Sequence, residues 1–169
     1  LPNFYVMSPR GAKKWDEGLG TIIPTMLALS TGGYSFVVPD AIGGGYAYPS
    51  DWIPSEELYI RWLQLVTFMP AMQFSIPPWV YGQYVVDLAQ KYVQLHREHA
   101  PTMIGLAQER VRTGRPIIRP MWYAAPDDAR TYKIADQFMV GDNIVVAPVV
   151  EQGARERVVY LPPGAWVDQ

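Results

Sequence analysis

Gly33-Tyr-Ser-Phe-Val-Val-Pro-Asp40-Ala-Ile-Gly-Gly44 and, further along, Ala71-Met-Gln73-Phe-Ser-Ile-Pro-Pro-Trp79 decide the fold. Each is a short run of β-forming residues that ends in a polar side chain and a loop rich in Gly or Pro. Between them lies one amphipathic segment of helix length. Ser55 with Glu56 and Glu57 makes its start, because acidic side chains favour the positive end of a helix dipole, and Leu58, Trp62, Leu65 and Val66 mark its buried face. Strand, loop, helix, strand is the repeating unit of a parallel β/α architecture, where ligands gather at strand ends. The reading places Asp40, Gln73 and Trp79 on one rim, an arrangement that a carbohydrate site would need.

Working outward, Asn3 to Ser8 reads as a strand ended by Pro9-Arg-Gly, and Lys13 to Gly20 as a polar loop. Thr21 to Thr31 has helical spacing, with Pro24 in its first turn and Gly32-Gly33 as its stop. Tyr34 to Pro39 is an unbroken apolar run, as expected of a strand buried on both faces. A loop rich in Gly, Tyr and Pro spans Ala41 to Pro54. Met69 to Phe74 is expected as a third strand, and Gln83 to about Arg112 as a long helix interrupted or kinked at Pro101. After Gly114 the character changes. Pro116 to Pro120 reads as a crossing segment, and Gln137–Val140, Ile144–Val150, Arg157–Leu161 and Ala165–Val167 as short antiparallel strands. The expected class is α/β: the later part of a parallel β/α barrel over 1–114, then a crossing segment and the start of an antiparallel β-sandwich domain over 115–169.

The 169 residues are fewer than a complete barrel of ~250 requires. The chain begins with Leu1 and stops just after a turn at Pro162-Pro-Gly, so it reads as a piece of a longer protein. With 49% hydrophobic and 18% charged residues it can bury a sizeable core. A net charge of −2 and the absence of basic runs argue against nucleic acid as a partner. No apolar run has the length of a membrane span, so an anchor would lie outside this stretch. Zero cysteines exclude disulfides and thiolate zinc sites within it. The unusual feature of the composition is aromatic: 6 Trp, 11 Tyr and 5 Phe, whose faces stack on the apolar faces of sugar rings.

Four groups of residues could carry chemistry. Asp16 stands in Trp15-Asp-Glu-Gly before a helix, where aromatic surroundings such as Trp15 could make it a general acid; Glu17 competes for the role, and a loop carboxylate or cap is the plainer reading. Asp40 ends a buried strand, where a charge needs an ion partner or a ligand, and Arg61 is the candidate partner. Gln73 and Trp79 supply an amide and an indole, suited to hydroxyl recognition and ring stacking, with core packing the rival for Trp79. His96 and His99 share a helix face and read as a surface pair rather than a metal site. Gly141-Asp-Asn143 reads as a hairpin turn.

Phe36-Val-Val-Pro-Asp-Ala-Ile-Gly-Gly44, Glu57-Leu-Tyr-Ile-Arg-Trp-Leu-Gln64 with Phe68-Met-Pro-Ala-Met-Gln73, Gln137-Phe-Met-Val-Gly-Asp-Asn-Ile-Val-Val-Ala-Pro148 and Tyr160-Leu-Pro-Pro-Gly-Ala-Trp166 together resemble glycoside hydrolase family 31. Within it, Met69 to Trp79 is similar to an α-galactosidase-like branch; α-glucosidases of the family usually have Arg-Asn-His where this chain has Gln73-Phe-Ser75. The resemblance implies a (β/α)8 TIM barrel followed by β domains, and hydrolysis of a terminal α-linked sugar with retention, α-galactoside favoured over α-glucoside. It implies a carbohydrate partner (an α-linked oligosaccharide or glycan), no metal or organic cofactor, and a secretory-lumen or extracellular setting. The family's acid/base Asp aligns with Asp16, since Asp-Glu-Gly-Leu tracks Asp-x-Gly-Leu; one gap would shift it to Glu17. Asp40, Gln73, Trp79 and Trp15 would then shape the sugar pocket. The nucleophile belongs to an earlier strand, so this stretch alone is expected to be inactive. Lys13-Lys14 precede Trp15 where the family has a Gly-Asp phrase, and Asn3 to Ser8 has no sugar-binding Arg. Both departures favour the alternative, a catalytically inactive sugar-binding or interaction protein on the same fold.

Overall fold

A computed structural model describes residues 5–7, 15–44 and 53–168. β1 (Tyr5–Val6) pairs in parallel with β2 (Val37–Val38), Tyr5 facing Val37. Between them lies α1 (Gly20–Thr31), whose Ile22, Ile23, Met26 and Leu27 are buried. It ends at Gly32 and Gly33, and the positive φ of Gly33 turns the chain back toward β2. This is the strand–helix–strand unit the sequence predicts. Asn3 to Ser8 is described only at 5–7, so the ends of that expected strand lie outside the described residues.

The expected polar loop before α1 is instead helical. Trp15–Leu19 forms a π-turn that runs directly into α1. Gly20 permits it, because a Cβ there would stand 3.0 Å from the Trp15 carbonyl oxygen. Thr21 Oγ1 donates to the Gly18 carbonyl, bracing the same turn.

α2 (Glu56–Val66) starts as predicted: the Ser55 hydroxyl accepts from the Leu58 N–H at 3.3 Å. Its buried face comprises Leu58, Tyr59, Trp62, Leu63, Leu65 and Val66. Each such large apolar side chain contributes roughly 1.5–3 kcal/mol by leaving water, so this face fastens α2 to the core. The expected third strand is nearly absent. Only Phe74 forms a bridge, in parallel with Ile42. The turns and bends at 67–70 and the prolines beyond Ser75 leave the segment a single bridge rather than a ladder. A 3-10 turn at Pro78–Val80 follows.

α3 (Gln83–Thr113) has the expected extent and runs through Pro101 without the expected interruption. Gly114 closes it in the left-handed region, its N–H donating to the Arg110 carbonyl at 2.9 Å. β3 (Ile118–Arg119), β4 (Phe138–Val140) and β5 (Ile144–Val146) then form an antiparallel sheet in the order β3-β4-β5. Within the expected crossing segment Pro116 to Pro120, Ile118 and Arg119 are therefore a strand of this sheet. α4 (Met121–Ala124) lies between β3 and β4. Gly141-Asp-Asn143 is the hairpin turn expected, with Val140 opposite Ile144.

Arg157–Leu161 and Ala165–Val167 form no strands. Their side chains are largely in water, Val158 at 91% exposure. The backbone of Tyr160 pairs instead with the Gln137 side chain, which donates Nε2 to its carbonyl and accepts its N–H on Oε1. The parallel and antiparallel parts are joined by side chains. Ser30 Oγ donates to the Ile118 carbonyl, Glu57 accepts the Gly153 N–H, and Arg61 donates to the Ala154 carbonyl.

Candidate functional site

β2 delivers the chain to Pro39 and Asp40, and Asp40 is 3% exposed. Its Oδ1 accepts the Ala41 N–H at 2.8 Å, and its backbone carbonyl accepts from the indole Nε1 of Trp62 on α2 at 3.4 Å. The expected partner Arg61 does not meet it. Arg61 donates to Gln64 and to the Ala154 carbonyl, because α2 turns that position toward the later domain.

Gln73 is brought to Asp40. Its Nε2 donates to the carbonyl of Pro39 at 2.7 Å, and its own carbonyl accepts the Ile42 N–H at 2.8 Å. Ser75 completes the junction, donating both its N–H and its hydroxyl to the Ile42 carbonyl. Gly43 follows with φ +95°, and a Cβ there would stand 3.0 Å from Ile76 Cδ1. Only glycine combines that turn with this close approach.

Trp79 is 71% exposed on the 3-10 turn. Two tyrosines hold that turn in place. Tyr59 donates its hydroxyl to the Ile76 carbonyl and Tyr81 donates to Pro54, with ring centroids 4.6 Å apart. Burial pushes the phenol of Tyr59 well above its ordinary range. Burial, helped by the negative charge of Glu56, pushes Tyr81 up to about 12.

Asp16 and Glu17 lie exposed in the first turn of the π-turn, where the helix dipole favours carboxylates. The π-turn packs against α2, as Asp40 does through Trp62, so α2 supports both candidate carboxylates. Trp15 is half-buried and packs on the hydrophobic core, which leaves part of its ring for solvent. The segments 8–14 and 45–52, which include Arg10, Lys13 and Lys14, lie outside the described residues. His96 and His99 fasten α3 to the end of α2. His96 Nδ1 is 2.8 Å from the Thr67 carbonyl oxygen and the His99 ring is 4.8 Å from that of Phe68.

Among the described residues a dense charge cluster lies elsewhere and was not anticipated. Arg119 is 1% exposed and binds the Pro116 carbonyl, Glu109 and Asp142. Arg115 bridges the same two carboxylates. Burial opposes ionisation of Asp142, but the hydrogen bonds from Arg119 and Arg115 outweigh it and hold the carboxyl below its ordinary value. In sequence Arg119 stands alone between Ile118 and Pro120; an isolated Arg inside an apolar run was the available signal. A second unforeseen pair, Asp128 with Arg130, also binds the Tyr160 hydroxyl.

The profile described as the glycosyl hydrolases family 31 TIM-barrel domain matches residues 11–106, and that of the family's C-terminal domain matches 114–169. The myogenesis-regulating glycosidase of Mus musculus is 48% identical over 90% of this chain and 22% of its own length. The SITS-binding protein of Tetronarce californica is 40% identical over 99% of this chain and 24% of its own. The chain thus spans about a quarter of the length of these relatives. The cycloalternan-forming enzyme of Listeria monocytogenes, solved with a pentasaccharide substrate, superposes with a TM-score of 0.87 at 27% identity, covering 98% of this chain and 16% of that enzyme. Parallel strand–helix units, then an antiparallel sheet, each matched by its own profile, leave one conclusion: the chain belongs to glycosyl hydrolase family 31.

Proposed function

We propose that the whole protein is a retaining α-glycoside hydrolase that removes a terminal α-linked sugar, α-galactoside in preference to α-glucoside, from an oligosaccharide or glycan. The observation that carries this reading is the fastening of Gln73 to the Pro39 carbonyl, next to Asp40, at adjoining strand ends, with Trp79 exposed on the turn that follows. A buried carboxylate needs partners or a polar ligand, and an exposed aromatic face suits a sugar ring. Asp40, Gln73, Trp79 and the open part of Trp15 line the glycone pocket. The galactoside preference rests on Gln73-Phe-Ser75, which stands where the family's α-glucosidases carry Arg-Asn-His.

Asp16 is the acid/base. It protonates the departing glycosidic oxygen, then takes a proton from the water that resolves the intermediate. A retaining enzyme needs a second carboxylate ~5–5.5 Å away as nucleophile. That residue comes from barrel strands beyond these 169 residues, which alone should not turn over substrate. We place the boundary between the barrel part and the β domain at Gly114, where the left-handed cap ends α3.

The test uses full-length protein with aryl α-galactoside and aryl α-glucoside. Asp16→Asn should lower kcat by about 10²- to 10⁴-fold, and Glu17→Gln should leave it nearly unchanged. Activity retained in Asp16→Asn would refute the assignment. The second reading, a sugar-binding or interaction protein without turnover, is favoured by Lys13-Lys14 before Trp15 and by a relative named for binding. Saturable binding of the same glycosides with no hydrolysis by wild type would establish it.

A further inference from the structure

The Gln73 amide makes a single polar contact through its side chain, Nε2 to the Pro39 carbonyl at 2.7 Å. A carbonyl can only accept, so this contact sets which way the amide faces. The reversed amide would oppose two oxygens at hydrogen-bond distance. Oε1 is thereby directed away from Pro39. Among the described residues it has no protein partner, and it is not among the buried atoms cut off from solvent. The other atoms of the junction are already engaged. The Gln73 carbonyl accepts from Ile42, and the Ser75 N–H and hydroxyl both go to the Ile42 carbonyl. Oε1 is therefore an acceptor left over at the junction, next in space to the residue that precedes Asp40.

We propose that Gln73 is a positioning and specificity residue, held by the Pro39 carbonyl so that its Oε1 accepts a hydroxyl hydrogen from the sugar beside Asp40. This rests on the glycosidase reading above and names the atom that would read the ligand. The same Nε2 bond ties the segment carrying Asp40 to the next strand end, so loss of the amide should alter both ligand affinity and the order of that segment.

The experiment uses full-length protein, with 4-nitrophenyl α-D-galactopyranoside and α-D-glucopyranoside as probes. Gln73→Met keeps the length and removes both polar atoms. It should raise KM for the preferred probe about 10-fold, as expected for one lost hydrogen bond in a ligand site, and change kcat far less. Gln73→Glu keeps the shape and removes the donor. At neutral pH the carboxylate opposes the Pro39 carbonyl, whereas once protonated it donates to that carbonyl and again leaves an acceptor outward. Its KM should therefore approach that of wild type as pH falls toward about 4–5, the range in which a carboxyl takes up its proton, while the Gln73→Met deficit stays constant. A residue that only filled space would show no such recovery.

An unchanged KM in Gln73→Met, or a pH-independent deficit in Gln73→Glu, would overturn the proposal. Hydrogen exchange of the 37–44 segment supplies a readout that does not need turnover. Exchange should quicken about 10-fold in Gln73→Met, as expected for a lost hydrogen bond, and return in Gln73→Glu at the acidic end after correction for intrinsic rates. If wild type hydrolyses neither probe, the glycosidase reading falls, and equal exchange in wild type and Gln73→Met then overturns the positioning role as well.

Discussion

Around Asp40 the contacts that hold the backbone are neutral. An amide, a hydroxyl and an indole donate to the carbonyls of Pro39, Ile42 and Asp40. Around Arg119 the contacts are ionic, with Glu109 and Asp142 each shared between two guanidinium groups. The two clusters are used differently. The neutral bonds fix a strand end through its backbone carbonyls. The ionic cluster joins the end of α3 to the β4–β5 turn and directs its charges at one another.

Removing the common support of the first region should have the largest effect. Trp62→Ala deletes a fully buried side chain and the indole bond to Asp40, and should cost about 4 kcal/mol in urea unfolding. If the loss is below ~1 kcal/mol, well under the range for buried Trp, α2 is not what supports the rim. Arg119→Met comes next. It strips one guanidinium from two carboxylates, of which Asp142 is half in water, and should cost about 3 kcal/mol, the lower end for a broken buried pair.

The two regions should respond to pH with opposite sign. The folded value of Asp142 lies below its ordinary one, so its contribution is present above about pH 4 and is lost as pH falls below that. The folded value of Tyr81 is raised to about 12, so its contribution is present below the ordinary phenol value near 10 and is lost as pH rises from there toward 12. Acid should therefore loosen the 115–142 region first, and base the Tyr59–Tyr81 turn under Trp79. Hydrogen exchange resolved by segment at both extremes checks this; simultaneous loosening at either extreme would erase the distinction. The smallest expected effect is Ser35→Ala. Its hydroxyl is buried without a partner, so the change should be neutral or stabilising by up to about 1 kcal/mol by thermal unfolding.

How much of this was legible depends on whether the governing contacts are local. α1, α2 and the 141–143 turn are set by spacing, a Ser cap and glycines, and all three stand where the residues placed them. Met69 to Phe74 looks the same as a strand in composition, yet forms one bridge, because pairing depends on what lies alongside. Arg157 to Leu161 failed for the same reason. Its apolar run finds no ladder among the described residues. In the site, Asp40 and Gln73 were legible as neighbours because strand ends share a rim, whereas the Arg61 pairing was not, since its outcome turned on the rotation of one helix face. Arg119 stood out as a lone charge in an apolar run, but its partners were not legible because they come from α3 and from the turn after β4.

The Gln137 amide that meets both backbone groups of Tyr160 has a consequence for how this stretch can vary. A ladder fixes many residues against each other, so inserting one residue shifts all those beyond it. A two-point clasp fixes one. A change of length between Val146 and Tyr160 therefore disturbs only the separate contacts of Gly153, Ala154 and Arg157, and leaves the sheet in register provided that one residue still arrives at Gln137 with its N–H and carbonyl presented together.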